Sequence, residues 1–359
     1  MKSKTSLRLA TELSIATLLL CTLSAPAAIA QDRQQKLTEF LERYPESDLN
    51  HDGMLTREEV RQFNEKRRSN PERSRKRERP EPTAADFAYG EHEKQRFDLW
   101  TVPNAKMPTP LVIFIHGGGF RGGDKVAFNP STIEQYHKAG IAFASMNYRL
   151  SDVGPYPIMM QDCARGLQTM RHHAKKWNID PKQIGCYGSS AGAGMSLWLA
   201  FHADLADPES EDPIARQSTR ITAAATSNGQ STYDLRTYRE WFGVPNLKAH
   251  EAMYPLYGVK QESDWESKRV QELMTDASPI THLTADDKVP VYMSYSRPNS
   301  KVDAQTDQSV WVHHYRLGEK LQQAMQKLGL ECHLVDRSKR HRDLKYQGTA
   351  DFFIDKLSR

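Results

Sequence analysis

The chain has 359 residues, of which 26% are charged and 38% hydrophobic, with a formal charge of +4. That length supplies one large domain plus a small one. So slight a positive excess argues against a nucleic-acid partner, and no stretch reaches the roughly eighteen apolar residues of a membrane-spanning helix.

Lys2, Lys4 and Arg8 precede an apolar stretch from Leu13 to Leu23, and Ala28-Ile29-Ala30 supplies a small-residue cleavage site before Gln31. This is the layout of a secretion signal over residues 1–30, so the mature chain is expected to be exported, periplasmic or extracellular. A lipid anchor on Cys21 fits poorly, because Leu20 stands where a small residue is expected. Of the +4 charge the signal holds +2 (three bases against Glu12), which leaves +2 for the mature chain. Cys163, Cys186 and Cys332 remain. They are too dispersed for a disulfide framework and are read as buried free thiols, with one bridge as the alternative.

Asp48-Leu49-Asn50-His51-Asp52-Gly53-Met54-Leu55-Thr56-Arg57-Glu58-Glu59 matches a twelve-residue calcium loop. Oxygen-bearing side chains fall at positions one, three, five, nine and twelve, with glycine at six. Leu37, Phe40 and Leu41 before the loop, and Val60 and Phe63 after it, have helical spacing. Residues 31–66 are therefore expected to form a small α-helical EF-hand module. Its Ca²⁺ ligands would be Asp48, Asn50, Asp52, Met54 (through its carbonyl), Thr56 and Glu59. The ion would be structural, and catalysis would need no cofactor. An acidic loop that stays empty is the alternative, since EF-hands usually work in pairs and the sequence holds one.

From Lys66 to Arg79 the chain carries eight basic residues and two acids, with almost nothing apolar. Residues 67–86 are expected to be a disordered linker, because such a composition cannot bury a core. A solvated spacer is the plain reading; attraction to an anionic surface is the other.

Strands are expected over 96–102, 111–115, 141–146, 184–187, 221–226, 290–295 and 331–335. Helices are expected over 132–139, 163–177, 191–203 and 315–328, and near 350–355. This alternation implies an α/β fold with a doubly wound, mostly parallel sheet over 87–359. The long segment 228–288 carries Tyr233, Tyr238, Trp241, Phe242, Tyr254, Tyr257 and Trp265. It is either a cap over the site or the aromatic core of a subdomain.

Two motifs sit at strand ends. The apolar run Leu111 to Ile115 ends in His116-Gly117-Gly118-Gly119-Phe120, and Ile184-Gly185-Cys186-Tyr187 ends in Gly188-Ser189-Ser190-Ala191-Gly192. A Gly-x-Ser-x-Gly turn between strand and helix exposes a serine nucleophile. A glycine-rich turn brings backbone N–H groups close to a substrate oxygen. On these motifs, residues 87 to 359 resemble the α/β-hydrolase family, in its His-Gly-Gly-Gly branch related to hormone-sensitive lipase. Asn147-Tyr148-Arg149-Leu150, Asp162 and Ala277-Ser278-Pro279 add to the likeness.

The resemblance implies a secreted serine carboxylesterase. Ser190 would be the nucleophile, and N–H groups of Gly117, Gly118 and Ala191 the oxyanion hole. His341, the only histidine between the last strand and the last helix, would be the base. The acid departs from the family pattern. Tyr295-Ser296-Arg297-Pro298-Asn299-Ser300 lacks a carboxylate, so Asp303 is the first choice, with Asp307 and Asp234 as alternatives. The substrate class it implies is acetyl or feruloyl esters of polysaccharides, then short-chain lipid esters. The rivals are a prolyl-oligopeptidase-type exopeptidase, and a calcium-dependent binding protein on an inactive hydrolase scaffold.

Overall fold

The computed structural model describes residues 37–63 (apart from 39, 43, 57 and 61), 79–339 (apart from 298) and 344–357. The chain divides into two compact units, Met1–Glu78 and Arg79–Arg359. The expected signal lies outside the described residues, as does most of the basic stretch.

In the first unit, helical residues stand on either side of the acidic loop. Leu55 and Phe63 are buried, and Phe40, Tyr44 and Phe63 form an aromatic cluster with ring centroids 5.0 to 6.1 Å apart. The loop reverses through His51 (φ 59°) and Gly53 (φ +77°), where a residue without Cβ is favoured.

The second unit begins earlier than expected. The Arg79 side chain donates to the Val126 carbonyl and lies over the Phe128 ring, and Trp100 donates its indole N–H to the Pro80 carbonyl. Strand β1 (Ala84–Ala88) follows at once. Residues 79–86 therefore belong to the sheet unit and are not linker. Seven strands then fall where expected: β2 (Arg96–Trp100), β3 (Thr109–Ile115), β4 (Ala142–Met146), β5 (Ile179–Ser189), β6 (Ala223–Ser227), β7 (Val291–Tyr295) and β8 (Cys332–Asp336). The sheet order is β1-β2-β4-β3-β5-β6-β7-β8. The β1–β2 and β2–β4 pairs are antiparallel, and all others are parallel.

Central strands are apolar on both sides because both faces are covered. The two-residue period of a strand then sorts their side chains between two cores. Leu111, Ile113 and Ile115 join one core with Ala144, Cys186 and Met293, while Val112 and Phe114 join the other with Phe143, Ala225 and Tyr292. Helices α1 (Ser131–Lys138) and α10 (Thr349–Leu357) bury Ile133, Tyr136, Phe352 and Phe353 in the second core. Helices α2 (Ile158–His172), α3 (Ala191–Phe201) and α9 (Tyr315–Lys327) cover the opposite face.

Segment 228–288 folds as α4 (Leu235–Phe242), α5 (Met253–Tyr257), α6 (Lys268–Ala277) and α7 (Pro279–His282). Five of its seven aromatics are buried and the other two, Trp241 and Tyr254, pack against the same core. The aromatics therefore fill a core, and Tyr233 and Tyr238 line a cavity as well. A short helix, α8 (Gln308–Trp311), precedes α9. Among the described residues no helix is long and apolar enough to cross a membrane. Cys163, Cys186 and Cys332 are free thiols, and burial pushes the Cys186 and Cys332 thiols up to about 12.

Candidate active site

Loops at the carboxyl ends of parallel strands are where a doubly wound sheet builds its sites. Here those loops carry the glycine turn after β3, Ser190 after β5, and the segment from β7 to α9. Ser190 has φ 51° and ψ −122°, a conformation rarely adopted by a residue with a side chain. Its N–H donates to the Ser227 carbonyl at 3.0 Å, which pins the turn to the neighbouring strand. The flanking glycines are needed for space. A Cβ on Gly188 would lie 2.3 Å from the Gly192 carbonyl carbon, and one on Gly192 would lie 2.0 Å from the Ile115 oxygen. Both contacts are with backbone and cannot relax cheaply.

Gly117 has its own close approach, since a Cβ there would sit 2.5 Å from the Ser189 oxygen and 3.3 Å from the Ser190 Cβ. Gly118 (φ +113°) and Gly119 (φ +60°) have left-handed backbones and line the cavity with Ser190 and Ala191. Thus Gly118 and Ala191 of the expected oxyanion hole share the serine's cavity, and Gly117 packs beside the nucleophile. His116 braces the turn. Its Nδ1 lies 2.7 Å from the Gly117 carbonyl and its ring stacks on Tyr148 at 4.4 Å. The Tyr148 hydroxyl donates to the His116 carbonyl at 2.9 Å.

The histidine that meets the serine is His313. Its Nε2 lies 2.8 Å from Ser190 Oγ, and its Nδ1 lies 2.9 Å from the Ser309 carbonyl one helical turn back. A carbonyl only accepts, so Nδ1 carries the proton and donates. Nε2 then keeps its lone pair and accepts from the serine hydroxyl. Burial, the largest influence, pushes the His313 pKa below the usual 6.5, and Arg297 pushes the same way against the Ser309 hydrogen bond. Both influences favour the neutral ring, the form a general base needs.

His341, the expected base, lies outside the described residues. For His313 the expected acid needs correction. The Asp303 carboxylate accepts from the Thr306 hydroxyl at 2.8 Å and the Gln305 N–H at 3.0 Å, an exposed loop arrangement turned on itself. Asp234 caps α4 and pairs with Arg236. Asp307 caps α8 by accepting from Ser309 N–H at 2.8 Å and Oγ at 2.5 Å. Asp307 thus touches the residue whose carbonyl holds His313. The physical reason for the difference is that α8 brings a backbone acceptor to Nδ1, where a carboxylate loop was expected.

Sequence reasoning missed His313 because it sought a histidine after the last strand. A usable signal was present. Two adjacent histidines, His313 and His314, stand directly before α9, in the segment between β7 and β8. His314 is the N-cap of α9 and donates Nε2–H to the Ser300 carbonyl at 2.8 Å, leaving its neighbour to face the cavity.

The cavity holds about 350 Å³ and is mostly apolar, walled by Phe120, Tyr233, Met253, Leu256 and Val312. Gln230, His250 and Arg121 supply its polar edge, and Arg121 pairs with Glu251 at 2.6 Å. Gln230 is held by the Val312 carbonyl, which its amide N–H meets at 2.7 Å.

Fold and site together define an α/β hydrolase. Residues 97–314 match the BD-FAE family, a span that includes both Ser190 and His313, and the chain belongs to that family. A curated relative is the probable carboxylic ester hydrolase LipM of Mycobacterium tuberculosis. It is 26% identical over 223 residues, covering 61% of this chain and 49% of the relative. The chain thus spans about half the length of that relative. Among solved structures, a truncated carbohydrate esterase from gut microbiota superposes with a TM-score of 0.58 at 19% identity, covering 77% of this chain and 96% of that one. The acetyl ester-xyloside bifunctional hydrolase of Caldicellulosiruptor lactoaceticus gives 0.55 at 20% identity, covering 72% and 86%. These two likenesses concern the fold.

Proposed function

We propose that the chain is an exported carboxylic ester hydrolase that works through an acyl-enzyme on Ser190 and acts on acetyl or feruloyl esters of polysaccharides. The observation that carries this reading is the 2.8 Å contact between Ser190 Oγ and a His313 whose other nitrogen is held by a carbonyl. His313 takes the serine proton as Oγ attacks the ester carbonyl. The N–H groups of Gly118 and Ala191 hold the oxyanion, aided by the amino end of α3. His313 then returns the proton to the leaving alcohol, and water releases the acid by the same steps.

The polysaccharide part rests on the names of the structural neighbours, a carbohydrate esterase and an acetyl ester-xyloside hydrolase. Export rests on the signal-like first thirty residues. A short-chain lipid ester is the second reading, favoured by the apolar cavity wall.

The N-terminal module is proposed to hold structural Ca²⁺. Asp48 and Glu59 are both buried, and their oxygens gather N–H groups of the same loop. Gly53 N–H meets Asp48 at 2.9 Å, and Thr56 N–H meets Glu59 at 2.9 Å. Two inward carboxylates with Asn50, Asp52 and Thr56 between them form the hard oxygen set that calcium takes.

The test is a substrate panel with active-site labelling. Aryl acetate, methyl ferulate and acetylated xylan should be turned over faster than an octanoyl ester, and a fluorophosphonate should add once, at Ser190, by mass spectrometry. Absence of both turnover and adduct would overturn the serine-esterase reading. Preference for the octanoyl ester would overturn the polysaccharide one.

A further inference from the structure

We propose that His202, Asp276 and His282 form a binding site for a divalent transition ion of the zinc class, on the catalytic unit and apart from its chemistry. One donor atom from each residue lies within 4.8 Å of the other two. Three elements supply them: His202 is the C-cap of α3, Asp276 lies near the end of α6, and His282 ends α7. A tetrahedral zinc at its usual bond lengths needs ligand atoms about 3.3 Å apart. Asp276 is exposed and His282 half-buried, so turning these two toward a fixed His202 ring closes that gap.

His202 and Asp276 are each held at one polar atom and open at another. His202 Nδ1 lies 2.9 Å from the Ala203 carbonyl, so it donates there and its Nε2 keeps a lone pair. His282 Nε2 lies 2.6 Å from the Asp276 carbonyl; to ligate an ion it exchanges that hydrogen bond for the metal, with the ring proton on Nδ1. The Tyr156 hydroxyl donates to Asp276 Oδ2 at 2.6 Å, and Oδ1 lies 3.9 Å from His282 Nε2. Trp198 stacks on the His202 ring with centroids 3.9 Å apart and fixes its plane. A ring nitrogen donating to a carbonyl, and a carboxylate steadied by a hydroxyl, are how proteins orient metal ligands.

The donor set selects the ion. Two imidazoles and one carboxylate suit zinc, copper or nickel and not the all-oxygen shells of calcium or magnesium. A surface cleft of about 400 Å³ opens on Asp276, Thr281 and His282, so water can enter as the fourth ligand. At 1.5 Å per residue, α3 carries His202 about 18 Å from Ser190. The ion would tie the far end of the nucleophile helix to α6 and α7, as a staple.

The test uses the full chain without a histidine tag, stripped of metal and kept in millimolar calcium so that the N-terminal loop does not respond. Titration with Zn²⁺ by calorimetry should show one equivalent bound. Co²⁺ should give the intense visible bands of a four-coordinate ion. His202→Ala and His282→Ala should each weaken zinc binding at least about a hundredfold, and Tyr156→Phe about ten- to a hundredfold. Zinc at a hundred times its Kd should raise Tm by about 5 °C in the wild type and leave His282→Ala unmoved. Aryl-ester turnover should be unchanged in His282→Ala. If His202→Ala fails to fold, His282→Gln at the cleft surface decides the matter. Absence of stoichiometric binding, the weak bands of a six-coordinate cobalt, or zinc affinity retained in the His282 variants would each overturn the site.

Discussion

The Ser190 hydroxyl and the His313 Nε2 are 2.8 Å apart, and the other nitrogen of that imidazole rests on a backbone carbonyl, that of Ser309. A carbonyl fixes the tautomer as a carboxylate does, but it brings only a partial charge to stabilise the imidazolium. The first prediction follows from this pair. Ser190→Ala and His313→Ala should each lower kcat on an aryl acetate by on the order of 10⁴-fold or more, and the double variant should lose little beyond either single one. Ser189→Ala and His341→Ala should keep most of the activity. Loss in His341→Ala with activity retained in His313→Ala would return the base to the loop after β8.

The pH profile offers a second check. Only neutral His313 can accept the serine proton, so kcat/KM should rise with pH through the His313 pKa and then level off. Burial and Arg297 hold that pKa below 6.5, so the rising limb belongs on the acid side of about 6.5. Arg297→Gln removes a cationic neighbour and should raise the pKa, moving the limb to higher pH. A limb that stays put or moves to lower pH would mean that the Arg297 charge does not act on the ring.

Asp307 separates a cap from a triad acid. Its carboxylate accepts from Ser309 N–H and Oγ, and the Ser309 carbonyl holds His313. Asp307→Ala should therefore lower kcat by roughly ten- to a hundredfold through misplacement of the ring, with KM little changed. Asp307→Asn keeps an oxygen cap and should restore most of the rate. A triad acid would not be rescued in this way, since an amide cannot hold the imidazolium. Asp303→Ala, whose carboxylate serves only its own loop, should change the rate less than about threefold. Steady-state kinetics on these three variants tests the arrangement.

The contrast between these residues shows what the sequence could carry. The serine turn and the glycine turn were legible because their geometry is local: a strained φ, two glycines against backbone and a helix start lie within a few residues. The seven strands were legible because a doubly covered sheet leaves continuous apolar runs. Strand β1 was not, because Ala84 to Ala88 is a half-exposed edge that carries a charge and an irregular register against β2. Helix α2 begins five residues before its expected start, directly after Pro157, and its apolar period runs on through Ala174 and Trp177, which are buried after the helix has ended. The base was the hardest, since the partner of Ser190 comes from 123 residues away. Only the sheet order, which sets β7 beside β6 and β6 beside β5, brings it there.

The last prediction concerns the N-terminal unit. Glu59 collects the Leu49 and Thr56 N–H groups and the Thr56 hydroxyl at 2.7 to 3.2 Å, and these bonds hold its carboxyl below the usual range. A carboxylate already ionised and turned into the loop needs little rearrangement to bind calcium bidentately. Calorimetry on the zinc-free full chain should show one calcium bound with Kd between about 10⁻⁶ and 10⁻³ M. Glu59→Gln should weaken it at least about tenfold, by removing one charge and one bidentate ligand. Aryl-ester turnover should be unchanged when a calcium-selective chelator is added, because acyl transfer on Ser190 uses no metal. No heat at several millimolar calcium would mean that the loop is closed by its own hydrogen bonds alone. Loss of turnover with the chelator would mean that calcium in the first unit controls the second, and the two would then have to be treated as one working enzyme.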